Sequence, residues 1–281
     1  MADLHHRLFA GLQWVLPHHL LSALLFRVAR IRWSPLKRLM IHGFVRQFSL
    51  NMAEALEPDP NRYAHWNDLF TRALRPDARP LAPAPQLLAP VDGVLSQFGT
   101  IAGDQLYQAK GMTYDLLGLL GGREDWAAQF SGGQYATFYL SPKDYHRVHM
   151  PVDGVLQAML PVPGRLFSVN PITVAQIPRL FHRNERLICL FEGAQGPFAL
   201  ILVGAIFVGS METVWAGRVI PPSGPPQVQR PSGTIRLARG EEMGRFNLGS
   251  TVILLFPPDL RWDSSVRPGT PVRMGQGLGT C

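Results

Sequence analysis

The chain has 281 residues, 46% of them hydrophobic, which is enough for a sizeable core. Its 27 glycines and 25 prolines argue against a plain helical bundle, and its 2 cysteines, Cys189 and Cys281, are too few for a disulfide scaffold and fit a reducing compartment. The net charge of +7 is uneven: residues 1–50 hold Arg7, Arg27, Arg30, Arg32, Lys37, Arg38 and Arg46 against Asp3 alone, so the rest is almost neutral. A basic arm on a neutral body points to an anionic partner surface.

The arm comes first in the chain. Leu4, Leu8, Leu12, Val15 and Leu16 fall on one helical face. After Pro17 a second set follows at Leu20, Leu21, Leu24, Leu25, Val28 and Ile31, and a third at Leu36, Leu39, Met40, Phe44 and Phe48. Arginines and lysine lie between these positions, with Trp14 and Trp33 as interfacial anchors. This pattern suits amphipathic helices in a lipid headgroup layer and is too apolar for a nucleic-acid arm. Pro17, His18 and His19 interrupt the uncharged run from Leu8 to Phe26, which disfavours a spanning helix. No small-residue cleavage site marks a signal peptide. The expectation is peripheral attachment, on the cytoplasmic side of the cell membrane, through residues 1–50.

Residues 1–57 read as helical up to the Glu57-Pro-Asp-Pro-Asn61 break, and Tyr63–Leu74 reads as a short helix with Asn61 as its cap. Residues 58–86 thus hold a helix and a proline-rich, extended linker over 75–85. From Leu87 short apolar runs alternate with Gly and Pro. Gly154–Met159, Leu187–Phe191, Phe198–Val203 and Val252–Phe256 have buried-strand lengths. Tyr114–Leu120 reads as one short helix, and Pro221–Pro226 as an exposed loop. The fold class is α+β: a β-rich catalytic core over 87–281 behind N-terminal amphipathic helices.

Four segments carry candidate chemistry. Ala89-Pro-Val-Asp-Gly-Val94 offers Asp92. Tyr139-Leu-Ser-Pro-Lys-Asp-Tyr-His-Arg-Val-His-Met-Pro-Val-Asp-Gly154 offers His146 and His149, which share a face on a helix but oppose each other on a strand. Gly209-Ser-Met-Glu-Thr-Val-Trp215 follows, and then Leu248-Gly249-Ser250-Thr251 at the head of an apolar strand pattern. A hydroxyl beside a glycine carbonyl is placed for attack on its own backbone, because Gly249 has no side chain to obstruct it. Pro151-Val-Asp-Gly154 repeats the Asp92 motif with Asp153, and spacing alone does not separate the two aspartates.

Together and in this order, the four segments resemble the phosphatidylserine decarboxylase family in its bacterial, membrane-associated form. Gln108-Ala-Lys-Gly111, Phe181-His-Arg-Asn-Glu-Arg186 and Arg273-Met-Gly-Gln276 extend the resemblance over residues 60–276. It implies a self-cleaving zymogen and selects Asp92, His149 and Ser250 as the processing triad. Serine needs a base at neutral pH; histidine has the right range, and a carboxylate can orient it. Ser250 attacks the Gly249 carbonyl, the resulting ester is eliminated, and loss of ammonia leaves a covalent pyruvoyl group derived from Ser250. That carbonyl condenses with the amine of phosphatidylserine, and the imine withdraws electrons as carbon dioxide leaves to give phosphatidylethanolamine. The resemblance makes His146 the acid or positioning group of that step, Ser168 a pocket residue, and Lys110 a candidate for the lipid phosphate. It also implies that the two products of cleavage stay together as a heterodimer, and that these pair as a homodimer. No metal or nucleic acid is expected.

Two rival functions share these features. A membrane-associated Asp-His-Ser hydrolase would often display Gly-x-Ser-x-Gly, which Ser250 lacks. A non-catalytic lipid-binding protein would explain the arm and leave the histidines and the Gly-Ser bond idle.

Overall fold

Proline and chain reversal cut the arm into three helices. A computed structural model describes residues 2–206, 210–247 and 250–280, with the backbone alone for residues 2–4 and Ser250. Helix α1 spans Ala2–Val15 and α2 spans His18–Val28. Pro17, at the N-cap of α2, lies in the break, where the two axes bend by 86°. Helix α3, Ser34–Phe48, takes Pro35 in its first turn, where no amide bond is lost, and ends at Ser49 in the left-handed region. Among the described residues no single helix is long and apolar enough to cross a membrane.

The arm buries its small and polar residues and exposes its leucines. Ala10, Gln13, His18, Ser22 and Ile41 are buried. Leu8, Leu12, Val15, Leu20, Leu24 and Leu39 are more than half exposed, as is Trp33. A helix that simply capped the core would be turned the other way. Gln13 accepts the Ser168 N–H at 3.1 Å, Trp14 packs edge-on to Phe167, and His19 bonds the Gly164 carbonyl at 3.0 Å. Polar and aromatic contacts thus hold the arm to the body and leave its apolar stripe outward.

Three sequence expectations for helices are shortened. Helix stops at Phe48 rather than continuing to residue 57, and a single 3-10 turn follows over Met52–Glu54, capped by Asn51. Instead of Tyr63–Leu74, helix α4 covers only Trp66–Phe70, because His65 Nδ1 takes the Asp68 N–H at 3.0 Å, whereas Asn61 belongs to a separate turn capped by Asp59. Tyr114 lies in the strand Met112–Asp115, and the helix after it runs only over Leu116–Leu119. Helices α3 and α4 share a small apolar cluster of Ile41, Trp66, Leu69 and Phe70.

The apolar runs of the body form the strands expected of them. Among the described residues, eight antiparallel strands make one sheet in the order 236–237, 154–162, 186–193, 196–203, 250–256, 134–140, 93–100 and 270–272. The four runs read as buried strands lie inside it, and their residues are almost wholly buried. Each fully buried Leu, Ile or Phe contributes roughly 1.5–3 kcal/mol. A smaller sheet joins 217–219, 211–213, 242–246 and 147–149.

Register places the chemistry at one end of the large sheet. Ser250 pairs with Leu140, and Val94 pairs with Tyr139 on the other side of the same strand. Asp92-Gly93 and Ser250 therefore flank the Tyr139–Leu140 end from opposite sides. A Cβ on Gly93 would run into the Tyr139 carbonyl, so glycine after Asp92 is required by strand contact.

Candidate active site

The segment Ser141–Met150 leaves the sheet at Leu140 and turns at once. Asp144 accepts from the Ser141 N–H and hydroxyl at 2.7 Å each, fixing that turn. The chain is then extended and forms the strand Arg147–His149, which pairs with Glu242–Phe246. The two histidines thus follow strand geometry, and their rings have separate surroundings.

The His149 ring is buried and held at both nitrogens. Nδ1–H donates to the Gly240 carbonyl at 2.8 Å. That leaves Nε2 with the lone pair, and the Tyr145 hydroxyl donates to it at 3.0 Å. Burial lowers the His149 pKa, while the Gly240 bond and the charges of Glu242 and Asp92 act the other way. The ring is neutral at pH 7, the form a general base needs. Tyr145 belongs to the same motif, and spacing alone does not reveal its bond to His149.

His146 is fully buried against Phe70, with ring centroids 4.1 Å apart. Its Nδ1–H donates to the Asp144 carbonyl at 2.8 Å, while Nε2 has no partner among the described residues. Burial pushes its pKa down to about 3; the Asp144 bond opposes this and the Arg72 charge adds to it.

Asp92 is buried, whereas its sequence twin Asp153 is exposed and holds the Arg239 N–H at 2.7 Å. The carboxylate–imidazole bond of a catalytic triad is absent between Asp92 and His149. Asp92 accepts from Arg79 Nε at 2.9 Å, from Arg79 Nη2 at 2.5 Å and from the Met274 N–H at 2.9 Å. Arg79 also meets Glu54 at 2.8 Å. The guanidinium fork saturates the carboxylate, and Gly240 takes over orientation of the imidazole. Backbone still ties the two segments, since the His149 N–H donates to the Pro90 carbonyl at 2.8 Å.

Leu248 and Gly249 lie outside the described residues, as does the Ser250 side chain. Their flanks are fixed. Asn247 donates to Ser210 Oγ at 2.7 Å and Glu212 Oε1 at 2.8 Å, and accepts from Arg30 of the arm at 3.1 Å. Downstream, Ser250–Phe256 is clamped between strands 134–140 and 196–203. Beside Thr251 a cavity of about 230 Å³ is lined by Val94, Tyr139, Val169, Val174 and Phe181 among others.

Ser168 and Lys110 stand apart from this geometry. Ser168 gives its N–H to Gln13 of the arm, and its hydroxyl accepts weakly from the Asn170 N–H at 3.4 Å. Lys110 is exposed at a hairpin tip, in the left-handed region at φ 48°. Gln108 of the same motif is structural: its amide bonds the carbonyls of Val174 and Ile177 and the Leu180 N–H.

A family model described as phosphatidylserine decarboxylase matches residues 66–280. The chain belongs to the phosphatidylserine decarboxylase family. A second family model, described as PSD, matches residues 8–49, the arm. Among similar proteins, the phosphatidylserine decarboxylase proenzyme of Bordetella pertussis is 53% identical over 278 residues, covering 97% of this chain and 94% of the relative. The proenzyme of Methylibium petroleiphilum is 53% identical over 275 residues, with 97% of each chain covered. That of Pseudomonas fluorescens is 51% identical over 281 residues, again with 97% of each covered.

Proposed function

We propose that this chain is a phosphatidylserine decarboxylase, made as a proenzyme that cuts itself between Gly249 and Ser250. The observation that carries the reading is the anchoring of Asn247 and of the strand that starts at Ser250 beside a connection that holds two buried neutral imidazoles. Membership of the family and the near full-length likeness to proenzymes support the same reading.

His149 is the base for processing. Its Nε2 takes the Ser250 hydroxyl proton as Tyr145 gives way, while Gly240 holds the other nitrogen. Asp92, aligned by Arg79, acts on His149 through its field rather than through a bond. Ser250 attacks the Gly249 carbonyl, and the amide becomes an ester. Removal of the Ser250 α-proton then expels the Gly249 carboxylate, and hydrolysis releases ammonia. Because strand 250–256 lies between two neighbours, the two pieces remain one heterodimer. We further assign a homodimer of these heterodimers, as the family resemblance implies.

The pyruvoyl group left on residue 250 would act as an electron sink for an amine-bearing substrate that loses carbon dioxide. The residues present fit such a group. The cavity beside Thr251 is largely apolar, which favours loss of a carboxylate charge. His146 presents an Nε2 without a partner among the described residues, able to carry a proton to and from a substrate carbon. Ser168 is kept as a pocket residue on the family resemblance alone. Residues 1–50 form the membrane-binding part, 58–86 the link, and 87–281 the catalytic body. The outward leucines and the arginines support a peripheral enzyme, which we assign to the cytoplasmic face of the cell membrane.

Intact-mass analysis under denaturing conditions tests the reading. Two pieces, 1–249 and 250–281, with the smaller lacking an amine at its N-terminus, are expected. A single chain that neither cleaves nor releases carbon dioxide from phosphatidylserine vesicles would sink it and leave lipid binding as the function.

A further inference from the structure

Where α3 ends, a cleft of about 820 Å³ runs from Phe48 and Asn51 to the catalytic segment at Ser141 and Tyr145. Most charges in it are spent on each other. Arg79 holds Asp92 and Glu54, and Arg273 lies 3.7 Å from Glu54. The Asp144 oxygen Oδ2 is taken by Ser141.

Arg72 is the exception. It is 7% exposed, yet among the described residues only Nη2 is bonded, to the Lys143 carbonyl at 3.1 Å. Nε and Nη1 have no partner among the described residues. Idle donors on a buried guanidinium are expensive, so the arrangement calls for an anion. Lys143 itself is exposed on the same cleft, and its ammonium makes no bond among the described residues. A rigid fork beside a mobile point charge matches the paired oxygens of a phosphodiester.

We propose that Arg72 and Lys143 seat the headgroup phosphate of the phospholipid substrate, with Arg72 as the buried fork and Lys143 as the outer cation. This rests on the decarboxylase reading above. Only an oxygen and one methylene separate phosphorus from the reacting carbon, so such a seat must adjoin the decarboxylation centre. Arg72 meets that demand, because it bonds the Lys143 carbonyl, one residue before the Asp144 carbonyl that holds the His146 ring. Phosphate is a better occupant than the serine carboxylate. The carboxylate loses its charge as carbon dioxide leaves, and a salt bridge to it would hold the ground state more than the transition state. The cleft mouth at the end of the arm also brings the seat near the lipid layer.

The test is direct ligand binding to the purified full-length protein, read by saturation-transfer NMR. The probes are glycerophosphocholine (a phosphodiester without carboxylate or reactive amine), N-acetylserine and inorganic phosphate. Glycerophosphocholine should bind, and Arg72→Gln should weaken it by about tenfold or more, Lys143→Gln by a smaller factor, with N-acetylserine binding unchanged. Because Lys143 is exposed, its variant decides the matter if Arg72→Gln does not fold. No binding by the wild-type protein, or equal binding by wild type and variants, overturns the seat. Equal loss of N-acetylserine overturns the choice of phosphate, and tighter binding of inorganic phosphate overturns the choice of a headgroup. If the binding pattern holds but no carbon dioxide is released from phosphatidylserine, the decarboxylase reading fails and the seat stands.

Discussion

The Tyr145 hydroxyl donates to the His149 Nε2 four residues further along the chain, at 3.0 Å. The bond occupies the lone pair that the serine proton must reach, so Tyr145 keeps the base aligned and must release it for processing. Tyr145→Phe frees the nitrogen but loses the alignment. Self-cleavage should slow by about tenfold, the worth of one hydrogen bond to a reacting group, without being abolished. Ser250→Ala should give an intact chain. Gel analysis of cleavage over time distinguishes the two, and cleavage in Ser250→Ala would remove Ser250 as nucleophile.

His146 and His149 are expected to separate two activities. His149→Ala should block cleavage, whereas His146→Ala should still yield both pieces and release little carbon dioxide. Mass analysis and a carbon dioxide assay on the same sample make the comparison. Equal loss of both activities in His146→Ala would deny it a separate role.

Acid should destabilise the fold through these rings. The folded His146 pKa is about 3, below the ordinary value of 6.5. Above pH 6.5 both states are neutral and the group's full contribution is present. Between about 6.5 and 3 the unfolded chain binds a proton that the folded chain refuses, so stability falls by about 1.4 kcal/mol per pH unit. His149 shifts in the same direction. Urea unfolding of the uncleaved Ser250→Ala chain at neutral pH and at about pH 5 measures the loss. Adding His146→Gln should flatten that dependence, and an unchanged slope would assign it elsewhere.

Arg79 and Asp92 form a buried pair whose halves should not be equivalent to remove. Arg79→Gln strands the Asp92 carboxylate and should cost about 3–5 kcal/mol. The double change with Asp92→Asn should recover part of that loss. The same urea measurement on the uncleaved chain reads it; a loss below about 1 kcal/mol for Arg79→Gln would mean that Asp92 finds another partner.

The arm's leucines should govern attachment, not chemistry. Leu8→Ser with Leu24→Ser removes two outward apolar side chains, at 62% and 58% exposure. Binding to anionic vesicles should weaken by at least about tenfold, since each buried leucine is worth roughly 1.5–3 kcal/mol. Self-cleavage in detergent should be unchanged. Vesicle sedimentation that shows no difference would place the lipid surface elsewhere.

Much of this protein is legible as sequence. Period and length mark Gly154–Met159, Leu187–Phe191, Phe198–Val203 and Val252–Phe256 as strands, and each lies within an observed strand, because a strand buried on both faces needs a continuous apolar run. Pro17 places the break between the first two helices. The ordered motifs carry the family, since they are local patterns that survive reading in one dimension. Helix ends were less legible: His65 rather than Asn61 caps α4, a choice made by one side-chain bond.

What the sequence left open was settled by contacts between distant segments. Asp92 and Asp153 have the same neighbours in the chain, but sheet register buries the first and leaves the second in a surface turn. Arg79 takes the Asp92 carboxylate, Gly240 orients His149, and Arg72 keeps two idle donors in a buried cleft. Only the fold turns the arm's leucines outward, because its polar residues find partners on the body. Apolar patterning reports how much surface a segment must hide and so fixes the elements. Partner choice among polar groups depends on three-dimensional distance and on competition for a few bonds, and tertiary packing alone decides it.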